Sequence, residues 1–208
     1  MFVRDYMSIN PITIEPEESV GDALKLMEQH SIRRLPVVSQ GKIVGLVTST
    51  DLLKASPSPA TSLSIHEINY LYPKIKIKEI MTKSVITVKP ETVIEEAAVK
   101  MREEKIGTLV VEQHDKLIGL ITESDLFKAF IDVFGFDYPG ARVAIEVEDD
   151  IGVLSKIAEV VSKLNINIIS VAAVRTRDGA ANLILRLKTD DVEELRNKVE
   201  ELGYKLLD

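Results

Sequence analysis

Slid against itself, the chain matches at one dominant offset, 74 residues, and needs no gap. Residues 7–55 align with 81–129, and 18 of the 49 positions are identical. Met7 falls on Met81, Thr13 on Thr87, Pro16 on Pro90, Ala23 on Ala97, Met27 on Met101 and Ile32 on Ile106. Gly45, Thr48 and Asp51 fall on Gly119, Thr122 and Asp125, and Val3-Arg4-Asp5 runs parallel to Ile77-Lys78-Glu79. Such a duplication restricts this part of the chain to two copies of one supersecondary unit. Each copy reads as β-α-β-β-α. In the first, extended residues 12–14 precede Pro16 and an acidic helix start. Val20, Ala23, Leu24 and Met27 then recur at helical spacing toward His30. Residues 35–38 and 43–48 form a hairpin across Ser39-Gln40-Gly41, and Asp51 opens a short helix. One copy is too small to bury both faces of its sheet, so two are expected to pack sheet to sheet.

Between the copies, Ser56-Pro57-Ser58-Pro59-Ala60-Thr61-Ser62 reads as a linker. Ser64 and Glu67 then have capping-box spacing, with Ile65, Ile68 and Leu71 on one face of a short helix that Pro73 stops. Lys74-Ile75-Lys76-Ile77-Lys78 reads as an exposed strand whose lysines discourage edge pairing, in preference to a basic binding strip. Beyond a joint at 135–140 the pattern changes. A strand over 142–148 leads through Asp149-Asp150-Ile151-Gly152 into a helix with Leu154, Ile157, Ala158, Val161 and Leu164 on one face. Strands over 166–176 and 181–188 meet across Asp178-Gly179. Asp190 and Asp191 start a last helix, Gly203 ends it, and residues 204–207 return as a strand. That order, β-α-β-β-α-β, is the ferredoxin-like plan. The expected class is α+β, with a first repeat at 1–55, a linker at 56–74, a second repeat at 75–134 and a third domain at 141–208.

Composition removes several function classes. Cysteine is absent, and the three histidines, His30, His66 and His114, are too far apart in sequence to share a helix face. Neither thiolate chemistry nor a transition-metal requirement is expected. The net charge is −7, and acidic residues outnumber basic ones in every segment: 7 to 6 over 1–55, then 13 to 10 over both 56–140 and 141–208. No segment carries the basic footprint of a duplex-binding protein. Apolar runs fall short of the ~20 residues of a membrane span, and Met-Phe-Val-Arg-Asp is no secretory leader. A soluble, cytoplasmic chain is expected. No catalytic constellation emerges either. Met27 and Met101 belong to helix core faces, and the acidic pairs Asp149/Asp150 and Asp190/Asp191 mark helix starts.

The element Gly-h-h-Thr-x-x-Asp stands as Gly45-Leu46-Val47-Thr48-Ser49-Thr50-Asp51 and again as Gly119-Leu120-Ile121-Thr122-Glu123-Ser124-Asp125, each after an expected hairpin. With these motifs the repeats resemble cystathionine β-synthase (CBS) domains, and the pair resembles a Bateman module. Asp149-x-x-Gly152-x-Leu154 and Asn165-Ile166-Asn167-Ile168 give residues 141–208 the look of an ACT domain. The whole order is similar to the acetoin-utilisation B protein family, whose members are regulatory. The resemblance implies an adenine nucleotide (AMP, ADP or ATP) or S-adenosylmethionine as regulatory ligand, with no cofactor required. The apolar strand positions Ile166, Ile168 and Val171 suit side-by-side pairing of two such sheets, so a homodimer or larger closed assembly is expected, with an ACT domain that serves dimerisation or senses an amino acid.

A carboxylate accepts two hydrogen bonds at once, which suits adjacent ribose hydroxyls, so Asp51 and Asp125 are the candidate ribose ligands. Both sit at strand-to-helix turns, where free amides receive phosphate, and both also read as helix caps. Thr48 and Thr122 offer hydroxyls to that phosphate, and Arg33 and Arg34 offer charge. The resemblance places the adenine between the repeats, beside backbone near 12–14 and 86–88. Thr13, Ile14, Thr87 and Val88 therefore join the set, with Gly45 and Gly119 from the motif. Arg33-Arg34 becomes Gly107-Thr108 in the second copy and Ser49 becomes Glu123, so the Asp51 site is the favoured one. In the ACT-like part the candidate amino-acid contacts are Asp150, Gly152, Val153, Leu154 and Asn165. Gly152 is expected to permit close backbone approach, although Ile151 stands where the family often has proline. The sequence thus points to a regulatory ligand sensor. The competing reading is an assembly protein that only dimerises; an enzyme of acetoin metabolism has no residue pattern behind it.

Overall fold

Val20, Ala23 and Met27, the apolar stripe of the first repeat, are buried along the helix Val20–Gln29. Ser19 starts this helix through a reciprocal capping box with Asp22. The carboxyl of Asp22 is held below its ordinary range by hydrogen bonds from the Ser19 hydroxyl and amide. The computed structural model describes residues 1–55, 72–148, 150–176 and 179–207, and the chain divides into two units, Met1–Leu126 and Phe127–Asp208. The sequence-read linker over 56–62 and helix around Ser64, Ile65, Glu67, Ile68 and Leu71 lie outside the described residues.

The first unit opens with a 3-10 turn, Val3–Asp5, followed by β1, Ser8–Ile9. The first repeat supplies the hairpin β2, Arg34–Ser39, and β3, Lys42–Thr48, followed by the helix Ser49–Ala55. Gln40 (φ 49°) and Gly41 (φ 78°) make its turn. The second repeat supplies β4, Thr87–Val88, the helix Ile94–Glu104, the hairpin β5, Thr108–Gln113, and β6, Lys116–Thr122, and the helix Glu123–Phe134. His114 and Asp115, both at positive φ, turn that hairpin. Ile14, Leu35, Val37, Val47, Leu52 and Ile77 close the first repeat's core. Residues 12–14 do not form the expected strand; Ile14 alone bridges Val37 in parallel, as β4 pairs with β5 in the second copy.

The two copies exchange their leading segments. Val3 N–H donates to Thr92 O (2.8 Å) and Arg4 N–H to Pro90 O (3.0 Å), and β1 pairs antiparallel with β6. In the counterpart, Ile77 N–H donates to Glu18 O and Lys78 N–H to Pro16 O, both at 3.0 Å, while Thr82 and Leu46 bond each other's backbone. Each repeat is therefore completed by the stretch that precedes the other, which explains why the duplication extends to Val3 and Ile77. The same exchange corrects the reading of 74–78. Instead of a strand, Tyr72–Lys74 is a 3-10 turn and Ile77–Ile80 a helical turn. Ile77 is fully buried in the first repeat's core, Lys76 donates to Glu17 O and Lys78 pairs with the Glu17 carboxylate at 2.8 Å.

Gly45 and Gly119 are required by these crossings. A Cβ on Gly119 would stand 2.7 Å from Met7 Sδ and 2.8 Å from Ser8 O, and one on Gly45 would meet Met81 Sδ and Thr82 O. Gly119→Ala is expected to cost about 1–3 kcal/mol by forcing the arm off β6. Urea denaturation checks it, and an unchanged midpoint would contradict the packing argument.

In the second unit, β7, Ala141–Glu148, the helix Val153–Lys163, β8, Ile168–Arg175, β9, Ala180–Leu187, the helix Glu193–Glu201 and β10, Lys205–Leu207, follow in the expected order. Their sheet runs β10-β7-β9-β8, antiparallel throughout. Val143, Ile145, Leu183, Leu185 and Leu187 face both helices across Ile157, Val161, Leu195 and Val199. Gly179 lies at φ 90° before β9, and Asp178 lies outside the described residues. Among the described residues no helix is long and apolar enough to cross a membrane.

Candidate functional site

Where β3 runs into the helix Ser49–Ala55, Thr48 N–H and Oγ1–H both donate to Asp51 Oδ2, at 2.8 and 2.7 Å. Asp51 N–H returns to Thr48 Oγ1 at 3.3 Å. Thr122 and Asp125 repeat the two donations at the same lengths. The cap is thus the threonine, and the aspartate stands three residues inside, the reverse of a simple aspartate cap. The threonine hydroxyl spends its proton on the carboxylate, so it has none to donate to a phosphate. The other carboxylate oxygen, Oδ1, makes no hydrogen bond among the described residues in either copy.

Asp51 lines a cleft of about 540 Å³ between the repeats. Four cations border it, Arg33, Arg34, Lys54 and Lys105, against the single carboxylate of Asp51. Val85 and Ile86 contribute an apolar edge, and Thr108 closes the floor. Thr108 is only 6% exposed, and its Oγ1 has no hydrogen-bond partner among the described residues. A buried hydroxyl without a partner costs about 1–3 kcal/mol, so Thr108 Oγ1 stands at the cleft as a polar group available to a hydrogen-bonding partner.

A second hollow, about 470 Å³, is bordered by Pro11, Ile12, Ser31, Thr122 and Ser124, and again by Arg33 and Arg34. The two arginines therefore reach both hollows and do not belong to the first alone. Asp125 does not line the second. Glu123 Oε2 and Arg34 Nη2 both overhang Gly107, 2.9 and 3.4 Å from where its Cβ would be, so the acquired anion stands by a residue of the first cleft.

The structure does not bring every sequence candidate to these hollows. Ile14 spends its N–H on Pro36 and its carbonyl on Val38, Thr87 donates its hydroxyl to Glu112 Oε1 (3.0 Å), and Val88 is buried. Thr13, Ile14, Thr87 and Val88 line neither hollow; Ile12 and Ile86, slightly earlier on each stretch, do. Gly45 and Gly119 serve the arm crossings. Sequence reasoning missed Thr108, Lys54 and Lys105. The exchange of Arg34 for Thr108 was a visible signal, but it reads as a lost cation until burial shows the orphaned hydroxyl.

In the second unit Gly152 has φ 85° and only open space around its would-be Cβ, so it is needed for its backbone conformation and not for close approach. Asp150 and Val153 border one hollow, with Glu146, Glu148, Lys156 and Lys205. Asn165, at φ 54°, borders another beyond the far end of the helix Val153–Lys163, on the order of 15–20 Å away by helical rise. Leu154 is 47% exposed. One protomer does not gather the five candidate amino-acid contacts into one pocket.

Residues 3–58 and 77–132 match the CBS domain family, and residues 139–208 match the TTHA0829-like ACT domain. The chain belongs to the CBS-domain family, its CBS pair being followed by an ACT domain. CBS and ACT domains are regulatory modules, not catalytic ones. Among solved structures, the protein given as acetoin utilization protein AcuB of Vibrio cholerae is 31% identical, with a TM-score of 0.54 over 67% of this chain and 98% of that one. The CBS domain pair of protein MJ0100, in complex with 5-methylthioadenosine and S-adenosyl-L-methionine, is 31% identical (TM-score 0.52; 62% of this chain, 95% of that one). CBSX2 in complex with AMP is 29% identical (TM-score 0.53; 64% and 97%). Four curated relatives 33–39% identical are spanned over only 21–46% of their length.

Proposed function

We propose that this protein is a non-enzymatic regulatory sensor that binds a phosphorylated adenosine in the cleft beside Asp51. One observation carries the reading: a carboxylate with one oxygen unspent faces a cleft edged by four cations. In it, Asp51 Oδ1 accepts the ribose hydroxyls, Val85 and Ile86 flank the adenine, and Arg33, Arg34, Lys54 and Lys105 hold the phosphates. The AMP and S-adenosylmethionine complexes of similar CBS pairs support an adenosyl ligand. The excess of cations favours phosphates over the sulfonium of S-adenosylmethionine. A ligand that fits one arrangement of the repeats better than another shifts their population, and a partner reads the shift. The working borders are 1–55 and 75–134 for the CBS repeats and 141–208 for the ACT domain. We also propose a cytoplasmic location, which accords with an intracellular nucleotide as ligand.

A thermal-shift panel of AMP, ADP, ATP, S-adenosylmethionine and amino acids tests the reading. Nucleotides should raise the melting temperature, and a panel without any shift would favour an assembly protein without ligand. Thr108→Val sharpens the test. By removing the orphaned hydroxyl it should stabilise the free protein by about 1 kcal/mol and weaken nucleotide binding. A variant that is destabilised, or that binds as before, would contradict a ligand role for Thr108.

We also propose that the ACT domain joins two chains. β8 is an edge strand of its sheet, with Val171 and Val174 exposed, and paired edges are a common route to symmetric dimers. Light scattering should give the mass of a dimer or larger closed assembly at micromolar concentration; a monomer would overturn this.

A further inference from the structure

On the face of the ACT sheet away from its helices, Arg142 of β7 stands directly opposite Arg186 of β9. Like charges paired across strands repel each other, and a sheet keeps such a pair against its own stability. Neither guanidinium takes part in an ion pair among the described residues. Arg186 spends Nε and Nη2 on Tyr138 O (3.2 and 2.7 Å) and lies 5.8 Å over the Phe136 ring, which leaves its Nη1 unspent. Arg142 makes no side-chain hydrogen bond among the described residues.

Against this pair opens a hollow of about 620 Å³, lined by Phe127, Phe130, Ile131, Phe134, Phe136 and Ile184. The volume falls within the roughly 300–1,000 Å³ of small-molecule sites, and an apolar lining with a few convergent polar groups is their usual make-up. Phe127 and Phe136 are 67% and 68% exposed, an unusual expense of aromatic surface. The wall is tied down: Ser170 Oγ donates to Phe134 O at 2.8 Å, and Arg186 holds Tyr138 O.

We propose that this hollow binds an amphipathic organic anion, an acyl carboxylate whose tail lies among the phenylalanines and whose head bridges Arg142 and Arg186. The facing charges specify the occupant. One carboxylate has two oxygens, enough to take the free fork of Arg142 and the remaining Nη1 of Arg186, and its charge removes the repulsion between them.

Calorimetric titration of the full chain with decanoate, and with 1-decanol as its uncharged counterpart, is the test. Decanoate should bind saturably at one site per chain, and decanol at least tenfold more weakly. Arg142→Gln/Arg186→Gln should lose at least tenfold in decanoate affinity, and Arg142→Gln alone, which leaves the Arg186 bonds to Tyr138 O in place, should also weaken it while its unfolding midpoint holds or rises because a repulsion is gone. Absence of saturable binding up to millimolar decanoate, equal binding of decanol, or an unchanged affinity in the double variant would overturn the proposal. So would failure of decanoate to bind together with a smaller assembly on sedimentation of Phe130→Ser, which would make the hollow a contact between copies.

Discussion

Asp51→Ala is expected to weaken adenosine-nucleotide binding about 10- to 100-fold, and Asp125→Ala to weaken it less. A hydrogen bond to a charged group is worth about 1.5–3 kcal/mol, which sets the range. Both carboxylates present an unspent Oδ1, but Asp51 lines the first cleft while Asp125 does not line the second hollow, and the first cleft adds Lys54, Lys105 and the unpartnered Thr108. The counterpart of Lys105 in the repeat is Ser31, which borders the second hollow without charge. The asymmetry therefore rests on the lysines, because Arg33 and Arg34 reach both hollows. Alanine also removes the acceptor of the Thr48 capping bonds, a loss of about 0.5–2 kcal/mol to the fold. Asp51→Asn separates the two roles. Its amide oxygen still accepts from Thr48, but the outward group becomes a donor that cannot accept ribose hydroxyls. Calorimetry on the folded variants should show Asn nearly as weak as Ala. If neither variant changes affinity, the ribose role is wrong.

Gly140→Ala carries the largest expected effect on stability, about 2–4 kcal/mol, confined to the ACT unit. The residue lies at φ 136°, and a Cβ there would overlap Leu187 O at the end of β9. The segment has no room to yield, because Ala141 N–H is already bonded to Thr189 O at 2.6 Å. Gly152→Ala is the control. Its φ of 85° is strained for alanine, but nothing stands within 4 Å, so a cost of about 1–2 kcal/mol is expected. Urea unfolding that ranks the two variants equally would show that the Leu187 carbonyl moves aside.

The element order of both units was legible because burial repeats with a period. Val20, Ala23 and Met27 recur at helical spacing, and the alternation through 142–148 places Val143, Ile145 and Val147 inward. The 74-residue repeat also held the exchange of arms, in the matches of Met7 to Met81 and Gly45 to Gly119, but local reading has no means of showing that one copy's methionine crosses the other copy's glycine. For the same reason Lys74-Ile75-Lys76-Ile77-Lys78 read as a strand: its period of two reflects insertion of Ile77 into a distant core. At the candidate site the motif located Asp51 and Asp125, whose bonds to Thr48 and Thr122 span three residues. It did not single out Lys54, one helical turn beyond Asp51 on the same helix, nor Thr108 and Lys105, which reach the cleft only through tertiary packing, nor the separation of Asn165 from Gly152.

The central claim is that an adenosine ligand seats between the repeats with its ribose on Asp51. A crystal structure of the full chain grown with saturating AMP tests it most directly. The ribose hydroxyls are expected within about 2.7–3.2 Å of Asp51 Oδ1, the phosphate among Arg33, Arg34, Lys54 and Lys105, and a ligand atom within hydrogen-bond reach of Thr108 Oγ1. A cleft that stays empty at saturating AMP, or a nucleotide bound only elsewhere on the protein, would contradict it.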